Sequence, residues 1–191
     1  MILSKYKFLS LTAAVLAVSL LSFGVARADT VGEHHDFFDN SSFDLNGRSS
    51  LPATLELVAN HAYYYVDDQY LDSLSSDERT AMMQQLVGLA NEFDNNIYPK
   101  ETAFWGSEAD PGIDGDAHIT VLLEELKSGT GGYFDSSNGY PTSVAPNSNE
   151  REMLILNADS LNQGHLDAFL AHEMQHLISF NQKDLLHHVT E

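Results

Sequence analysis

The stretch AFLAHEMQHLISF, residues 168–180, constrains this chain more than any other. Leu166, Phe169, Leu170, Met174, Leu177, Ile178 and Phe180 recur at helical spacing and leave little polar surface around the helix. A helix that is apolar on nearly all sides is expected to be buried. This one also carries His172, Glu173 and His176. Burying unpaired titratable groups is costly, and metal coordination is one of the few arrangements that offsets the cost.

Positions four apart lie on one face of a helix, so His172 and His176 present two imidazoles to one point. That bite suits Zn²⁺, which sits at about 2.0–2.1 Å from each ligating nitrogen. Neutral imidazoles leave the charge of the ion uncancelled, so it lowers the pKa of its water towards 7. Glu173 is rotated round the helix from His172. It is placed to hold and deprotonate that water as general base, and to return the proton to a leaving amine, rather than to ligate. The plainer reading is a hydrogen-bonded pair of core histidines with a salt-bridged Glu173. The apolar setting weighs against it. His165 lies about 10 Å along the axis from His172, too far to share an ion, and suits a surface or capping role. His118 stands at a strand entrance and is left outside the site. His34 and His35 have no donors at ligand spacing and read as a solvated pair.

The amino terminus reads as a targeting segment. Lys5 and Lys7 precede a largely apolar run from Phe8 to Val25, and Ala26-Arg27-Ala28 has the small-x-small pattern of a cleavage site. Residues 1–28 are therefore expected to be a secretory signal. The run is short for a membrane anchor, so no stable membrane association is expected once it is cleaved. The signal takes three of the nine basic residues, Lys5, Lys7 and Arg27, and leaves six against 28 acidic ones, a net −22. A field of that sign repels nucleic acid and anionic lipid. With no cysteine, an exported chain must hold itself by its core or by bound metal.

Residues 29–52 are polar and aperiodic, the composition of a disordered leader. Segment 53–68 mixes alternation with β-branched and aromatic residues and predicts one or two strands. Ser76 or Asp77 can then cap a helix with Met82, Leu86, Leu89 and Phe93 on its core face, ended by Asn95, Asn96 and Pro99. A buried strand is expected in HITVLLEEL (118–126), a long loop over 127–150, and a short strand at about 152–158. The last helix is expected over about 160–181, opened by a Ser160–Gln163 capping box. Asp110, Asp114 and Asp116 in DPGIDGD can bind Ca²⁺ or simply make a turn, and the turn is preferred. The order of elements predicts an α+β domain, its sheet covered by helices.

AHEMQHLISFNQK (171–183) resembles the active-site helix of secreted bacterial zinc metallopeptidases of the hyicolysin family, and more distantly that of the immune inhibitor A peptidases. NEFDNNIYP (91–99), DPGIDGDAHITVLLEEL (110–126), GGYFD (131–135) and NSNEREMLILNAD (147–159) are similar to that family's landmarks, in the same order. The resemblance implies a zincin-like fold, a mixed twisted sheet packed on helices, over 53–191. It implies His172 and His176 as zinc ligands and Glu173 as general base. It places MLILNAD (153–159) as the edge strand that holds an extended substrate by strand addition.

One departure stands out. Glutamate zincins take a third ligand from the next helix, in a stretch of the Trp-Leu-Asn-Glu-Gly type, and none follows His176 here. Glu191, His187 and His188 are the downstream donors. The expectation is a third ligand beyond residue 191, so that 53–191 is the amino-terminal part of an incomplete catalytic domain. The expected function is a secreted zinc endopeptidase acting on polypeptides, extracellular or periplasmic. The alternative is a truncated, inactive zincin serving as a secreted binding or surface domain.

Overall fold

The computed structural model describes residues 28–189, and of Asn162 and 184–189 only the backbone. The expected signal, save Ala28, lies outside the described residues, as do Glu191 and the side chains of His187 and His188.

Six strands form one sheet: β1 (His34–Phe38), β2 (Ser50–Val58), β3 (Ala62–Asp67), β4 (Ile119–Glu124), β5 (Gly132–Tyr133) and β6 (Met153–Asn157). Their order is β1-β2-β3-β4-β6-β5. β3 and β6 run parallel to β4, and the remaining neighbours pair antiparallel. Every residue of β3, β4 and β6 is buried. Strands covered on both faces read as unbroken apolar runs, which is why AYYYVD, ITVLLE and MLILN lack alternation.

The two faces build two cores. On one, Tyr64, Val66, Val121, Leu123, Leu154 and Leu156 pack with Met82, Leu86, Phe93, Leu170, Met174 and Ile178 of the helical layer. On the other, Tyr63, Tyr65, Leu122, Met153 and Ile155 join Phe37, Leu51, Leu55 and Tyr133. The helices are α1 (Asp68–Ser73), α2 (Ser76–Glu92), α3 (Tyr98–Trp105) and α4 (Leu166–Val189). The domain is thus α+β with a mixed sheet, and α2 and α4 contribute to one face only. Among the described residues, no helix is long and apolar enough to cross a membrane.

Four local expectations need correction. The polar segment 29–52 is ordered. It supplies β1 and the start of β2, and Phe37 and Leu51 are within 1% of full burial. One inward hydrophobe, Phe37, paired across from Leu51 of β2, seats a strand whose other side chains are not buried. His34 is solvent-exposed, as expected, and also bonds Thr54 Oγ1 at 3.0 Å and Asp68 at 3.3 Å. Ser75, one residue earlier than expected, caps α2 in a reciprocal capping box with Glu78. Asn95, Asn96 and Pro99 do not end the helical path. A π-helical turn, Phe93–Ile97, carries it into α3, where Pro99 sits in the first turn and needs no N–H partner.

The last helix also starts later than its sequence suggests. Ala158–Gln163 forms a 3-10 segment capped by Asn157, and Gly164 at φ 68 turns the chain into α4. The Gln163 side chain bonds the Asp159 carbonyl rather than closing a box with Ser160.

Candidate functional site

The helix that carries the two histidines is amphipathic in its burial. Leu170, Glu173, Met174, Leu177 and Ile178 are buried. Ala168, Phe169, His172 and His176 form an exposed strip along the opposite side. The expectation of a helix buried all round is therefore wrong on this strip. Phe169 and the histidines face outward although their neighbours in sequence are apolar. His172 and His176 are not core histidines.

Their ring nitrogens converge. His172 Nε2 and His176 Nε2 lie 3.2 Å apart, with the ring planes at 88° and the centroids 4.7 Å apart. Two nitrogens at about 2.05 Å from one tetrahedral ion are separated by about 3.3 Å. The pair therefore fits the bite of zinc without rearrangement. The same 3.2 Å also suits a hydrogen bond between one protonated and one bare nitrogen, so metal binding is the property that separates the two. Among the described residues, no third carboxylate or imidazole converges with the pair.

Glu173 sits on the sheet side of the helix at 6% exposure. It lies under β5: its Cγ is 3.4 Å from where a Cβ on Gly132 would stand. Burial pushes its carboxyl above the usual range, and the two histidines and the Phe134 backbone N–H oppose the shift. The carboxylate is thus buried beside the strand end, near enough to the imidazole pair for their charge to act on it.

β5 is the free edge on this side of the sheet, and β6 is not. MLILNAD was expected to border the cleft, but β6 is flanked by β4 and β5, with Gly132 opposite Leu156 and Tyr133 opposite Ile155. Two residues of paired strand inside a Gly/Ser-rich loop give no periodic signal. The GGYFD landmark was the available cue. The glycines are there for space. A Cβ on Gly131 would meet the Phe169 ring at 2.4 Å, and one on Gly132 would meet the Ile155 carbonyl at 2.8 Å. Replacing Gly132 with Ala is expected to push β5 off β6 and α4 at a cost of about 1–3 kcal/mol. A urea melt showing no loss of stability would count against this packing.

The other sequence candidates are placed away from the pair. His118 bonds Asp116 through Nδ1 at 2.5 Å and stacks on Tyr63. His165 is exposed, and its carbonyl accepts from the first turn of α4. Asp114 and Asp116 act as turn formers: Asp114 accepts the Asp116 N–H at 2.9 Å and Asp116 that of His118 at 2.9 Å. Among the described residues, Asp110, Asp114 and Asp116 do not converge as a ligand group.

No protein-family model matches this chain. A neutral metalloprotease, ShpI, of Staphylococcus hyicus is 26% identical to it over 161 residues, covering 76% of this chain and 33% of that protein. The alignment thus spans about a third of the relative's length. This similarity supports a metallopeptidase relationship.

Proposed function

Starting from that relationship, we propose that this protein is a zincin-like, zinc-dependent endopeptidase exported from the cell. The observation that carries the reading is the 3.2 Å approach of the two Nε2 atoms beside a buried carboxylate. His172 and His176 would hold the ion. Zinc bound there would supply Lewis acidity, lowering the pKa of water and polarising a substrate carbonyl.

The remaining roles fall to groups of the chain itself. Glu173 is the general base and then the general acid: its carboxylate takes a proton from the attacking water and delivers it to the leaving amine. Packing under Gly132 of β5 limits where that carboxylate can move. The outer edge of β5 offers unpaired main-chain donors and acceptors to an extended polypeptide, which would add as the next strand. A catalytic zinc site commonly uses three protein ligands. The third is to be sought outside the described side chains, with His187, His188 and Glu191 as the donors in this sequence.

Zinc titration by calorimetry against a competing chelator tests the centre. The expected result is one equivalent bound, with affinity reduced at least about 100-fold in a His172→Ala/His176→Ala variant, since a half-site without its ligands has no chelate. Wild-type binding no tighter than that of the double variant would reduce the histidine pair to a hydrogen bond.

A further inference from the structure

A second group of donors lies on the face of the sheet away from α4. Asp39, Asp44 and Glu124 each bring a carboxylate oxygen to one point, and these oxygens all lie within 4.8 Å of one another. Asp39 follows β1, Glu124 ends β4, and Asp44 sits in the loop between β1 and β2. That loop is tied to the chain beyond β4 by Leu45 N–H to the Glu125 carbonyl at 2.9 Å and Lys127 N–H to the Phe43 carbonyl at 2.8 Å.

Glu124 is the unexplained member. Its side chain is fully buried, and neither carboxylate oxygen has a hydrogen-bond donor. The nearest cation, Arg48 Nη2, stands 4.0 Å away and is already committed to Asp44 and Asp67, each at 2.7 Å. The Asp39 Oδ2 atom is likewise buried without a partner, while its Oδ1 accepts the Tyr133 hydroxyl. Three carboxylates, Asp44, Asp67 and Glu124, thus surround one guanidinium, and Asp39 adds a fourth acid to the group. Burial, and then Asp39 and Asp44, raise the Glu124 pKa strongly. Unpaired buried carboxylates are retained in a fold when they are protonated or when they coordinate a cation.

We propose that Asp39, Asp44 and Glu124 hold a hard divalent cation, best matched by calcium, that fastens the 39–48 loop and Tyr133 of β5 to the end of β4. Calcium takes six to eight oxygens in flexible geometry, whereas magnesium demands a near-ideal octahedron and keeps most of its waters, so three buried protein carboxylates suit the larger ion. A cavity of about 520 Å³, lined by Asp39, Asn40, Tyr133 and Asp135, opens beside the cluster. It admits the waters that complete a coordination shell of six to eight oxygens. The site is separate from the histidine pair and does not rest on the peptidase reading. Through Tyr133 it steadies the strand that covers Glu173.

Thermal unfolding of the zinc-saturated protein with and without calcium tests the site. For a Kd near 10⁻⁴ M, about 10 mM calcium raises Tm by roughly 5–10 °C in a domain of this size. Asp39→Asn and Glu124→Gln each abolish the shift. Terbium(III) bound in place of calcium emits on excitation of tyrosine, with Tyr133 as the adjacent donor, and calcium displaces it. Tyr133→Phe keeps the calcium shift and loses most of the emission, which preserves the test should both carboxylate variants fail to fold. A wild-type Tm indifferent to calcium would overturn the proposal in favour of a proton shared by Glu124 and Asp39. An undiminished shift in Glu124→Gln would overturn it as well.

Discussion

Glu173→Gln is expected to lower kcat/KM on a protein substrate such as casein by roughly 10²–10⁴-fold, the range that a positioned general base contributes. The amide has the size and shape of the carboxylate, so the 6% exposed pocket between α4 and β5 stays filled. It has no basic oxygen to take a proton from water and no acidic proton for the leaving amine. It also leaves the imidazole pair alone, so zinc stoichiometry and Tm should stay close to wild type. That separation is the point of the measurement. A variant that loses activity and zinc together has damaged the helix, and a variant that cleaves casein as well as the parent rules out Glu173 as the base.

The second large effect is on stability. Arg48 donates to Asp44 through its backbone N–H at 2.7 Å, Nε at 2.9 Å and Nη2 at 2.7 Å, and to Asp67 through Nη1 at 3.1 Å and Nη2 at 2.7 Å. Both carboxylates are fully buried. Arg48→Met strips them of their counter-ion and should cost about 3–5 kcal/mol at neutral pH, the usual result of removing one partner of a buried pair. The pH dependence then has a definite sign. Burial alone raises the Asp44 pKa, and the bonds from Arg48 more than reverse it. In the wild type the group therefore stabilises the fold above its unfolded pKa, and that contribution is lost as pH falls through the lower folded pKa. In Arg48→Met the guanidinium's bonds and charge are gone, only the backbone N–H groups of residues 46 and 48 still oppose burial, and the folded pKa rises relative to wild type. The variant therefore has less of this stabilisation to lose as pH falls. The deficit of the variant should shrink between pH 7 and about pH 4 in urea melts. A deficit that grows towards low pH would show that Arg48 acts on something other than these carboxylates.

The elements legible in the sequence are those whose signal is local. β4 shows itself as an apolar run, β6 as a short strand, β3 by alternation mixed with aromatic and β-branched residues, and α2 as a stripe of Met82, Leu86, Leu89 and Phe93. β1 did not, because only Phe37 in its five residues is buried. Its place depends on pairing with β2, a long-range fact. The helix expected over about 160–181 reads as buried all round because an apolar side chain such as Phe169 carries no mark saying whether a neighbour covers it.

The sequence by itself determined that two imidazoles converge. A spacing of four on an α-helix brings His172 and His176 to one face whatever surrounds them, because 3.6 residues make a turn. It also sets Glu173 next to that face, the carboxylate proposed as the base. Only the tertiary structure decided the rest. That Glu173 is buried, that the strand over it is β5 rather than β6, and that Gly131 leaves room for Phe169 and Gly132 for Glu173 all follow from how α4 lies on the end of the sheet. The Asp39, Asp44 and Glu124 cluster is the extreme case. Its members come from three separate segments, and no spacing along the chain records a meeting that β-pairing and loop closure bring about.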